Sequence, residues 1–428
     1  MKNTDMEKVP IRFLLKNGFL HIFTSSVINK IIQFCSGVIL IRFLAKEEYG
    51  QYSYAQNILS LFLLVEGLGV CSGLLQYASE NRTCEKRLGY VRLSLRYGGC
   101  FNAVLGATVF VYSVFFSLPI AGAVRILRWM FLIPLFGLFF SIVETYLRAA
   151  LRNFEYSALS VMNTFLFLVC SFTGVVLYGV WGVIIGRYVA YLITDIAAFL
   201  VVRKDFLIMK SVPLPEKKAR HEFLRYSCIC MLSNSISGLL YVIDTFLVGL
   251  IIKKGTVVAL YKTATVIPFA LNFIPQAVIT FAYPYFAKIN TDKARFKKYY
   301  ASLVGYLGLF NAFLSAFLFV FAPQIIGIVF GNDYGDSVLP FRILAVGYFF
   351  AGTFRIPAGN MLGALRKVKV NLYNSVISGT LNIILDICFI LWWGANGAAI
   401  STTCIYIVSA LIANGYMYYY LNKKMGAK

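Results

Sequence analysis

Twelve long apolar segments run along this chain, and they constrain its fold more than any other feature. Each is long enough to cross a bilayer core about 30 Å thick, which takes roughly 20 residues of helix. Strands of a membrane barrel are shorter and alternate in polarity every second residue, so the segments predict transmembrane helices. They lie, to within a few residues, at 18–44, 49–79, 88–117, 121–148, 156–178, 181–202, 222–252, 258–288, 298–321, 337–364, 371–393 and 396–421.

The composition excludes a water-soluble fold. Of the 428 residues, 59% are hydrophobic and only 14% are charged, whereas a soluble domain is about half apolar and about a quarter charged. The basic residues 1–17 precede the first apolar segment without a convincing cleavage site, so we expect that segment to be retained as a span. The predicted fold class is an all-α integral membrane protein with about 12 transmembrane helices.

The distribution of basic residues predicts the orientation. If the N-terminus is inside, 29 of the 40 Lys and Arg residues lie in inner segments and eight in outer segments. Such a bias places the Lys- and Arg-rich connections in the cytoplasm. We therefore expect a multi-pass protein of the cell (inner or plasma) membrane with both termini cytoplasmic. The net charge of +22 reflects this topology and attraction to anionic lipid headgroups, and no nucleic acid is expected as a partner.

An internal repeat indicates two related halves. Tyr178–Gly186 matches Trp393–Ser401 at an offset of 215, and Tyr49–Ala55 lies over Val258–Ala264 at an offset of 209. Because each half has an even number of spans, both halves insert the same way round, as in transporters built from parallel repeats.

The repeat divides the chain into two like-oriented six-helix bundles. The predicted N-lobe is 1–210 with helices 1–6, and the predicted C-lobe is 211–428 with helices 7–12.

Polar and ionisable side chains inside the spans are the candidate functional residues, because they are costly in lipid and usually face a cavity or a partner. Many recur on single helical faces. Hydrogen bonding between helices is the alternative role for the neutral ones. The cavity and ion-coupling candidates are Asn29, Gln33, Asp244, Asn272, Gln276, Asn382 and Asp386.

Three basic residues stand apart from the inner segments. Lys30 lies in the polar stripe of the first span, and Arg355 lies in the middle of the tenth. Arg42 lies at the outer end of the first span, where it could contact a phosphate or anchor the helix at the interface.

No pattern for catalysis or metal binding is present in the sequence. It has no GxxxxGK[ST] phosphate-binding loop, only two histidines, and nine cysteines without metal-ligand spacing. We therefore predict no enzyme activity, no catalytic residues, no metal site and no cofactor, with coupling to H⁺ or Na⁺ left open.

Four segments in order along the chain carry a family resemblance. Ile39–Ser53, Asp244–Gly249, Phe330–Tyr334 and Gly394–Ala399 resemble the polysaccharide flippase (Wzx-type) family of the multidrug/oligosaccharidyl-lipid/polysaccharide exporter superfamily. The resemblance implies the MATE-like, two-bundle flippase fold and alternating access.

The resemblance also implies a substrate and partners. It implies a flippase that moves polyprenyl-pyrophosphate-linked oligosaccharide units from the cytoplasmic to the outer leaflet, for lipopolysaccharide or capsule biosynthesis. Lys30, Arg42 and Arg355 become candidates for binding the pyrophosphate. The implied partners are the lipid-linked oligosaccharide, membrane lipid, a polysaccharide polymerase and other glycan assembly proteins.

Two other functions stay open on the sequence. A cation-coupled multidrug exporter would share the fold and would have a cavity dominated by carboxylates. A non-transporting scaffold of a glycan assembly complex would tolerate charge reversals in the cavity but not on the surface.

Overall fold

The computed structural model describes residues 19–80, 83–120, 122–365 and 367–422, and within these ranges all the regular secondary structure is helical. The predicted cytoplasmic ends of the chain lie outside the described residues. The prediction of an all-α fold is confirmed. The α-helices are α1 (Phe19–Phe43), α2 (Lys46–Leu63), α3 (Val70–Glu80), α4 (Cys84–Phe115), α5 (Ala123–Trp129), α6 (Ile133–Ala149), α7 (Asn153–Met209), α8 (Lys217–Ile252), α9 (Gly255–Leu271), α10 (Phe273–Lys288), α11 (Lys293–Val320), α12 (Ala322–Phe330), α13 (Val338–Phe350), α14 (Ile356–Ala364), α15 (Val368–Trp393) and α16 (Ala395–Asn422).

The apolar helices fall where the sequence predicts spans. Among the described residues, nine helices are long and apolar enough to cross a membrane, or ten if the bent pair α5 and α6 counts as one span. Helix α7 is 57 residues long but has non-helical backbone at Tyr178 and Gly179, so it contains two predicted spans. Helix α8 covers the seventh predicted span with 36 residues.

The internal repeat of the sequence is also a repeat of helix boundaries. Lys46 begins α2 and Gly255 begins α9, 209 residues apart, and Cys84 and Lys293 begin α4 and α11 with the same spacing. The second span of each half, which begins at Lys46 in the first half and at Gly255 in the second, is broken at the matching place, after Leu63 and after Leu271. In the first half the break is a turn of 3₁₀ helix, Glu66–Gly69, with left-handed backbone at Gly67 and Leu68.

The clearest match between the halves is a pair of helical hairpins. Gly179 reverses the chain within α7 with φ 57° and ψ −136°, and Gly394 reverses it between α15 and α16 with φ 60° and ψ −133°. This region of φ and ψ is open to glycine and strongly disfavoured for other residues. Three residues later, Gly182 packs on the backbone of Gly174, and Gly397 packs on that of Phe389.

The helices pack into two compact units, each with its own core. Unit one contains the described residues up to Phe43 together with Leu59–Ser117 and Val124–Ser235, and unit two contains Leu44–Ile58, Leu118–Ala123 and the described residues from Ile236 onward. The chain therefore passes from one unit to the other before α2, within α2, after α4, within α5 and within α8.

The core of unit one joins α3, α4, α6 and α7 to the start of α8. An aromatic cluster closes it, with the rings of Tyr77 and Tyr90 at 5.6 and 5.4 Å from the ring of Phe223. In unit two, Phe286 and Phe296 pack at 4.9 Å in a core that α14 and α16 complete.

A buried asparagine in each unit holds neighbouring helices together. The Asn102 side chain accepts a hydrogen bond from the backbone N–H of Gly67 at 2.7 Å and donates one to the carbonyl of Pro134 at 2.6 Å. Asn311, 209 residues later, accepts from the hydroxyl of Tyr348 at 2.8 Å. Asn102 and Asn311 are both fully buried, so each satisfies backbone or side-chain groups that lipid could not.

We expect Asn102→Ala to destabilise the protein by roughly 1–3 kcal/mol, because it leaves the buried backbone N–H of Gly67 in the helix break without its partner and removes the hydrogen bond to the carbonyl of Pro134. The exposed Thr108 of the same helix bonds only the carbonyl of Val104, so Thr108→Val should change stability by less than about 0.5 kcal/mol. Thermal denaturation of the purified variants measures the difference. Equal denaturation temperatures would show that Asn102 does not hold the break.

Two of the segments that carry the family resemblance contact each other in unit two. Lys46 donates a hydrogen bond to the carbonyl of Asp333 at 2.9 Å and lies 5.7 Å from the centre of the Tyr334 ring. Next to it, the carboxylate of Glu47 accepts from the backbone N–H of Thr256 at 3.1 Å, at the N-terminus of α9, where a negative charge is favourable. These contacts explain why the first part of α2 packs with unit two.

Candidate functional site

Two buried carboxylates form the most unusual polar cluster of unit two. Asp244 of α8 is 5% exposed and Asp386 of α15 is fully buried, and their carboxyl groups are close enough to interact directly. We call these two residues the acid pair. Oδ2 of Asp244 accepts hydrogen bonds from the hydroxyls of Thr402 at 2.6 Å and Tyr261 at 2.9 Å.

Neutral side chains of α15 and α16 satisfy part of the hydrogen-bonding capacity of the acid pair. The Asn382 amide donates to Oδ2 of Asp386 at 3.1 Å and to the hydroxyl of Ser401 at 3.3 Å. Oδ1 of each carboxylate is buried and accepts no hydrogen bond from any described residue. Buried polar atoms are normally paired, so the two free oxygens mark a place where a ligand or a proton belongs.

The space beside Asp244 of the acid pair is the size of an ion. A cavity of about 20 Å³ has Asp244, Asn382, Thr402 and Arg355 among its lining residues. A cavity needs only about 10–15 Å³ to hold one water molecule, so this one accommodates a water or a small cation and excludes a sugar.

The basic side chains nearest to the acid pair form no salt bridge with it. Among the described residues, no ion pair within 4.0 Å joins a Lys or Arg to either carboxylate. Lys262 is close enough to Asp244 to interact with it through space. Arg355 instead donates to the hydroxyl of Ser409 at 3.3 Å and lies 5.1 Å from the centre of the Tyr406 ring.

Unit one contains a larger polar cavity, which we call the polar chamber. Its volume is about 280 Å³, just below the 300–1,000 Å³ typical of small-molecule sites. Helices α1, α2, α6 and α7 and the break Glu66–Gly69 contribute to it. The lining residues are Asn29, Gln33, Leu63, Glu66, Ile133, Gly137, Phe140, Ser141, Glu144, Ser160, Asn163, Thr164, Arg187 and Tyr191.

The polar chamber carries both signs of charge and free hydrogen-bonding capacity. Glu66 interacts with Asn102 and, through space, with Arg187, whose guanidinium lies 5.5 Å from the centre of the Phe167 ring. The Asn29 amide donates to the hydroxyl of Ser160 at 2.9 Å, while its Oδ1 has no partner among the described residues. The chamber can therefore bind a polar, hydroxyl-rich group.

Some of the predicted site residues line the polar chamber or the ion-sized cavity, and the others lie outside both. Asn29 and Gln33 line the polar chamber, and the exposed Lys30 donates to Gln33 at 3.4 Å, so Lys30 lies next to the chamber without lining it. Arg42 is exposed at the end of α1.

The remaining predicted residues belong to unit two. Asp244, Asn382 and Arg355 line the ion-sized cavity, and Asp386 lies next to Asp244 without lining it. Asn272 lies at the break between α9 and α10 with a buried Oδ1 that no described residue bonds, and Gln276 is exposed one turn later. These two residues line neither cavity.

The sequence analysis missed several residues of both sites. Glu66, Glu144 and Arg187 are the charged residues of the polar chamber, and Glu66 had a usable signal because it lies between apolar residues and next to Gly67 and Gly69. Charged residues at breaks in membrane helices often line cavities. Tyr261 gave no local signal, since only the fold brings it to Asp244.

Comparison with protein families identifies relatives along most of the chain. A family model described as polysaccharide biosynthesis protein matches residues 39–339. A relative described as a probable low-salt glycan biosynthesis flippase, Agl15 of Haloferax volcanii, is 26% identical over 215 residues, which are 49% of this chain and only 44% of that protein. An uncharacterized membrane protein in the cps region of Klebsiella pneumoniae is 24% identical over 93% of this chain and 80% of its own length.

Solved structures of transporters have the same fold. An inward-facing multidrug resistance MATE family transporter of the MOP superfamily matches with a TM-score of 0.73 and 14% identity, over 93% of this chain and 96% of that one. The lipid II flippase MurJ in an inward closed conformation matches with a TM-score of 0.75 and 16% identity, over 94% and 87%. At these identities the likeness describes the fold alone.

Proposed function

The chain belongs to the polysaccharide biosynthesis protein family, in agreement with its resemblance to Wzx-type flippases, and from this premise we propose that it moves a lipid-linked oligosaccharide across the bilayer. Family and fold together describe a multi-pass membrane protein of the flippase and transporter kind. We further propose that the substrate is a polyprenyl-pyrophosphate-linked oligosaccharide, moved from the cytoplasmic to the outer leaflet by alternating access of the lobes 1–210 and 211–428.

The observation that carries this proposal is the presence of two buried polar sites of different size. The polar chamber of unit one, at about 280 Å³, has room for a sugar ring and offers amide, hydroxyl and charged groups to its hydroxyls. The cavity at the acid pair, at about 20 Å³, has room only for a small ion. A transporter that uses an ion gradient to move a polar headgroup needs both.

The acid pair is proposed to bind the coupling cation, H⁺ or Na⁺. Two buried carboxylates that interact directly repel each other when both carry a charge, and a proton or a cation bound between them removes this repulsion. Oxygen atoms of carboxylates, hydroxyls and amides are the ligands that hard cations prefer, and Asp244, Asp386, Asn382 and Thr402 supply all three kinds. Binding or release of one cation would then change the charge of unit two.

The pyrophosphate is proposed to interact with Lys30 and Arg42; Arg355, the third basic residue predicted for this role, lines the ion-sized cavity instead. Lys30 and Arg42 are exposed in unit one, where a phosphate can reach them, and Lys30 lies next to the polar chamber through Gln33. Guanidinium and ammonium groups form the strong, charge-assisted hydrogen bonds that phosphates accept. The sugar in the chamber and the phosphate at Lys30 would then be recognised side by side.

The experiment that tests the function is transport in proteoliposomes. A fluorescent polyprenyl-pyrophosphate-linked glycan is placed in both leaflets, and its accessibility to an added membrane-impermeant reagent is followed with time. We expect faster leaflet exchange than in protein-free vesicles and acceleration by a gradient of H⁺ or Na⁺. Drug uptake in place of glycan movement would favour the exporter, and movement of neither would favour the scaffold.

We expect Lys30→Ala to slow this transport roughly ten- to a hundredfold at low substrate, because a charge-assisted hydrogen bond contributes about 1.5–3 kcal/mol. Lys30→Arg keeps the charge and should keep most of the activity. The matched control is Lys204→Ala, which removes an exposed lysine of the same unit and should transport normally. Wild-type transport by Lys30→Ala would remove Lys30 from the phosphate site without affecting the proposed function.

A further inference from the structure

A large apolar groove in unit two is separate from both polar sites. Its volume is about 710 Å³, and it lies between α11, the α13–α14 region and α16. Most of its wall is aliphatic or aromatic. The lining residues are Lys297, Tyr300, Ala301, Val304, Gly305, Phe350, Phe354, Ile407, Ala410, Leu411, Asn414, Met417, Tyr418 and Leu421.

The polar atoms inside the groove are already bonded to each other. The Tyr300 hydroxyl donates to Oδ1 of Asn414 at 2.5 Å. The Asn414 amide donates to the carbonyls of Ala410 at 2.8 Å and Phe354 at 3.2 Å. The wall therefore offers little to a sugar or a peptide backbone, whereas a hydrocarbon chain loses nothing by lying against it.

One end of the groove has a basic rim, where Lys297 lines the groove and two further lysines, Lys293 and Lys367, lie outside its lining residues on the ring of Tyr420. Lys297 donates to Asn422 at 2.8 Å and lies 5.4 Å from the centre of the Tyr418 ring. Lys293 and Lys367 lie 4.7 and 4.6 Å from the centre of the Tyr420 ring. Such a combination of cations and aromatic rings is typical of the headgroup level of a bilayer.

The charge at this rim is positive and is not cancelled nearby by acids. The carboxylate of Asp292 caps α11 by accepting from the backbone N–H of Arg295 at 3.0 Å and lies 3.8 Å from the side chain of Arg295. Among the described residues, no ion pair is formed by Lys297. Basic pockets between membrane helices at this level suit the phosphate of an anionic lipid.

The length of the groove matches one leaflet. Its wall runs from Lys297 to Gly305 on α11 and from Leu421 to Ile407 on α16. At about 1.5 Å per residue these stretches are roughly 12 and 21 Å long, which lie on either side of half the thickness of a bilayer core about 30 Å thick. An occupant with its charge at the lysines would thus reach about to the middle of the membrane.

We propose that this groove is a binding site for an anionic glycerophospholipid, whose phosphate lies at Lys297 and whose acyl chain lies on Ala301, Gly305 and Leu411. The positive rim selects a net negative headgroup, and the apolar wall of one-leaflet length selects the acyl chain. The site is distinct from the acid pair, because neighbouring residues of the π-helical turn Ala351–Arg355 separate them: Phe354 lines the groove and Arg355 lines the ion-sized cavity.

The structure supplies two variants that test the two halves of the site. Lys297→Gln removes the charge at the rim. Gly305→Leu fills the groove, and because no atom lies within 4 Å of a Cβ built at Gly305, the added side chain meets open space and the fold should tolerate it.

Each variant has a matched control on the same helix or wall. Lys298→Gln removes the neighbouring charge. Because successive residues of a helix lie about 100° apart around its axis, Lys298 is on a different face of α11 from Lys297. Gly415→Leu adds the same side chain to α16 at an exposed glycine, also with no atom within 4 Å, but outside the groove.

The measurement is native mass spectrometry of the full-length protein. It gives the number of lipids retained and their relative affinities, with phosphatidylglycerol and phosphatidylcholine of identical chains as probes. We expect wild type and both controls to retain one phosphatidylglycerol at least about tenfold more tightly than phosphatidylcholine. Lys297→Gln should lose this preference, and Gly305→Leu should lose the bound lipid.

Three results would overturn the proposal. Equal retention of the two phospholipids by wild type would remove the anionic selectivity, and unchanged retention by Gly305→Leu would remove the groove as its location. Retention of added polyprenyl phosphate, with no retention of phosphatidylglycerol, would assign the groove to the cargo lipid. None of these outcomes depends on transport, so the proposed function is tested separately.

Discussion

Asp386→Asn is expected to slow transport at least about tenfold and to abolish its dependence on the coupling cation. Asparagine keeps the size of the side chain but removes one of the two charges that would hold the cation. A charge-assisted interaction contributes about 1.5–3 kcal/mol, which corresponds to a factor of ten or more in cation affinity. Asp386 is fully buried, and Asn382 bonds its Oδ2, so the variant should still fold.

The same variant gives a binding readout that does not need the substrate. A ligand that binds only the folded state stabilises it by about 2.7 kcal/mol at a concentration of 100 times its Kd. We therefore expect the denaturation temperature of purified wild type to rise with the coupling cation, either with added Na⁺ or on acidification, and that of Asp386→Asn to stay unchanged. Comparing the two titrations distinguishes Na⁺ from H⁺.

A matched control separates this effect from the loss of any buried carboxylate. Asp195 of unit one is 8% exposed and lies in an otherwise apolar cavity of about 330 Å³. Asp195→Asn should transport within about twofold of wild type and keep the cation response. If Asp386→Asn transports normally and keeps its response, the acid pair does not bind the coupling cation.

Gly397→Ala is expected to cause one of the largest losses of stability among single substitutions at glycine in unit two. A Cβ at this position would overlap the carbonyl group of Phe389, and a backbone atom cannot move aside as a flexible side chain can. The hairpin of α15 and α16 would have to open, at a cost of at least the roughly 1–3 kcal/mol of an overpacked core. We expect a lower denaturation temperature and little folded protein in the membrane.

Gly415→Ala is the control, because it adds the same methyl group to the same helix in open space. It should be neutral or slightly stabilising, since alanine is favoured over glycine in a helix by up to about 1 kcal/mol. Gly182→Ala, at the matching position of unit one, should behave like Gly397→Ala because its Cβ would overlap the carbonyl group of Gly174. Equal stability of Gly397→Ala and Gly415→Ala would contradict the close packing of the hairpin.

The fold could be predicted because its signals are local or periodic. Apolar length alone locates the spans, and the match of Tyr178–Gly186 with Trp393–Ser401 locates the hairpins, where Gly179 and Gly394 have nearly the same φ and ψ. One half of the site around the acid pair could also be predicted from the sequence. Asn382 and Asp386 are four residues apart, so they share a helix face.

The rest of the site depends on contacts between distant residues. Thr402 and Asp244 are 158 positions apart, and a hydroxyl residue in a membrane helix is ordinary until its partner is known. The same holds for Arg187, which interacts in the polar chamber with Glu66, 121 positions away along the chain. Lys30 illustrates the reverse case: its position on a polar stripe is visible in the sequence, but the structure shows that it borders the chamber through Gln33.

The changing spacing of the repeat has a consequence for how such a chain accepts insertions. Equivalent helices begin 209 residues apart at Lys46 and Gly255, and equivalent hairpin glycines lie 215 apart at Gly179 and Gly394. The six additional residues of the second half therefore lie between its third and fifth spans, in the part of the chain that contains α12. One residue added within a helix turns everything after it by about 100°, which would bring buried polar groups out to the acyl chains. Length can thus vary in the connections, while the spans accept exchanges of residue type only.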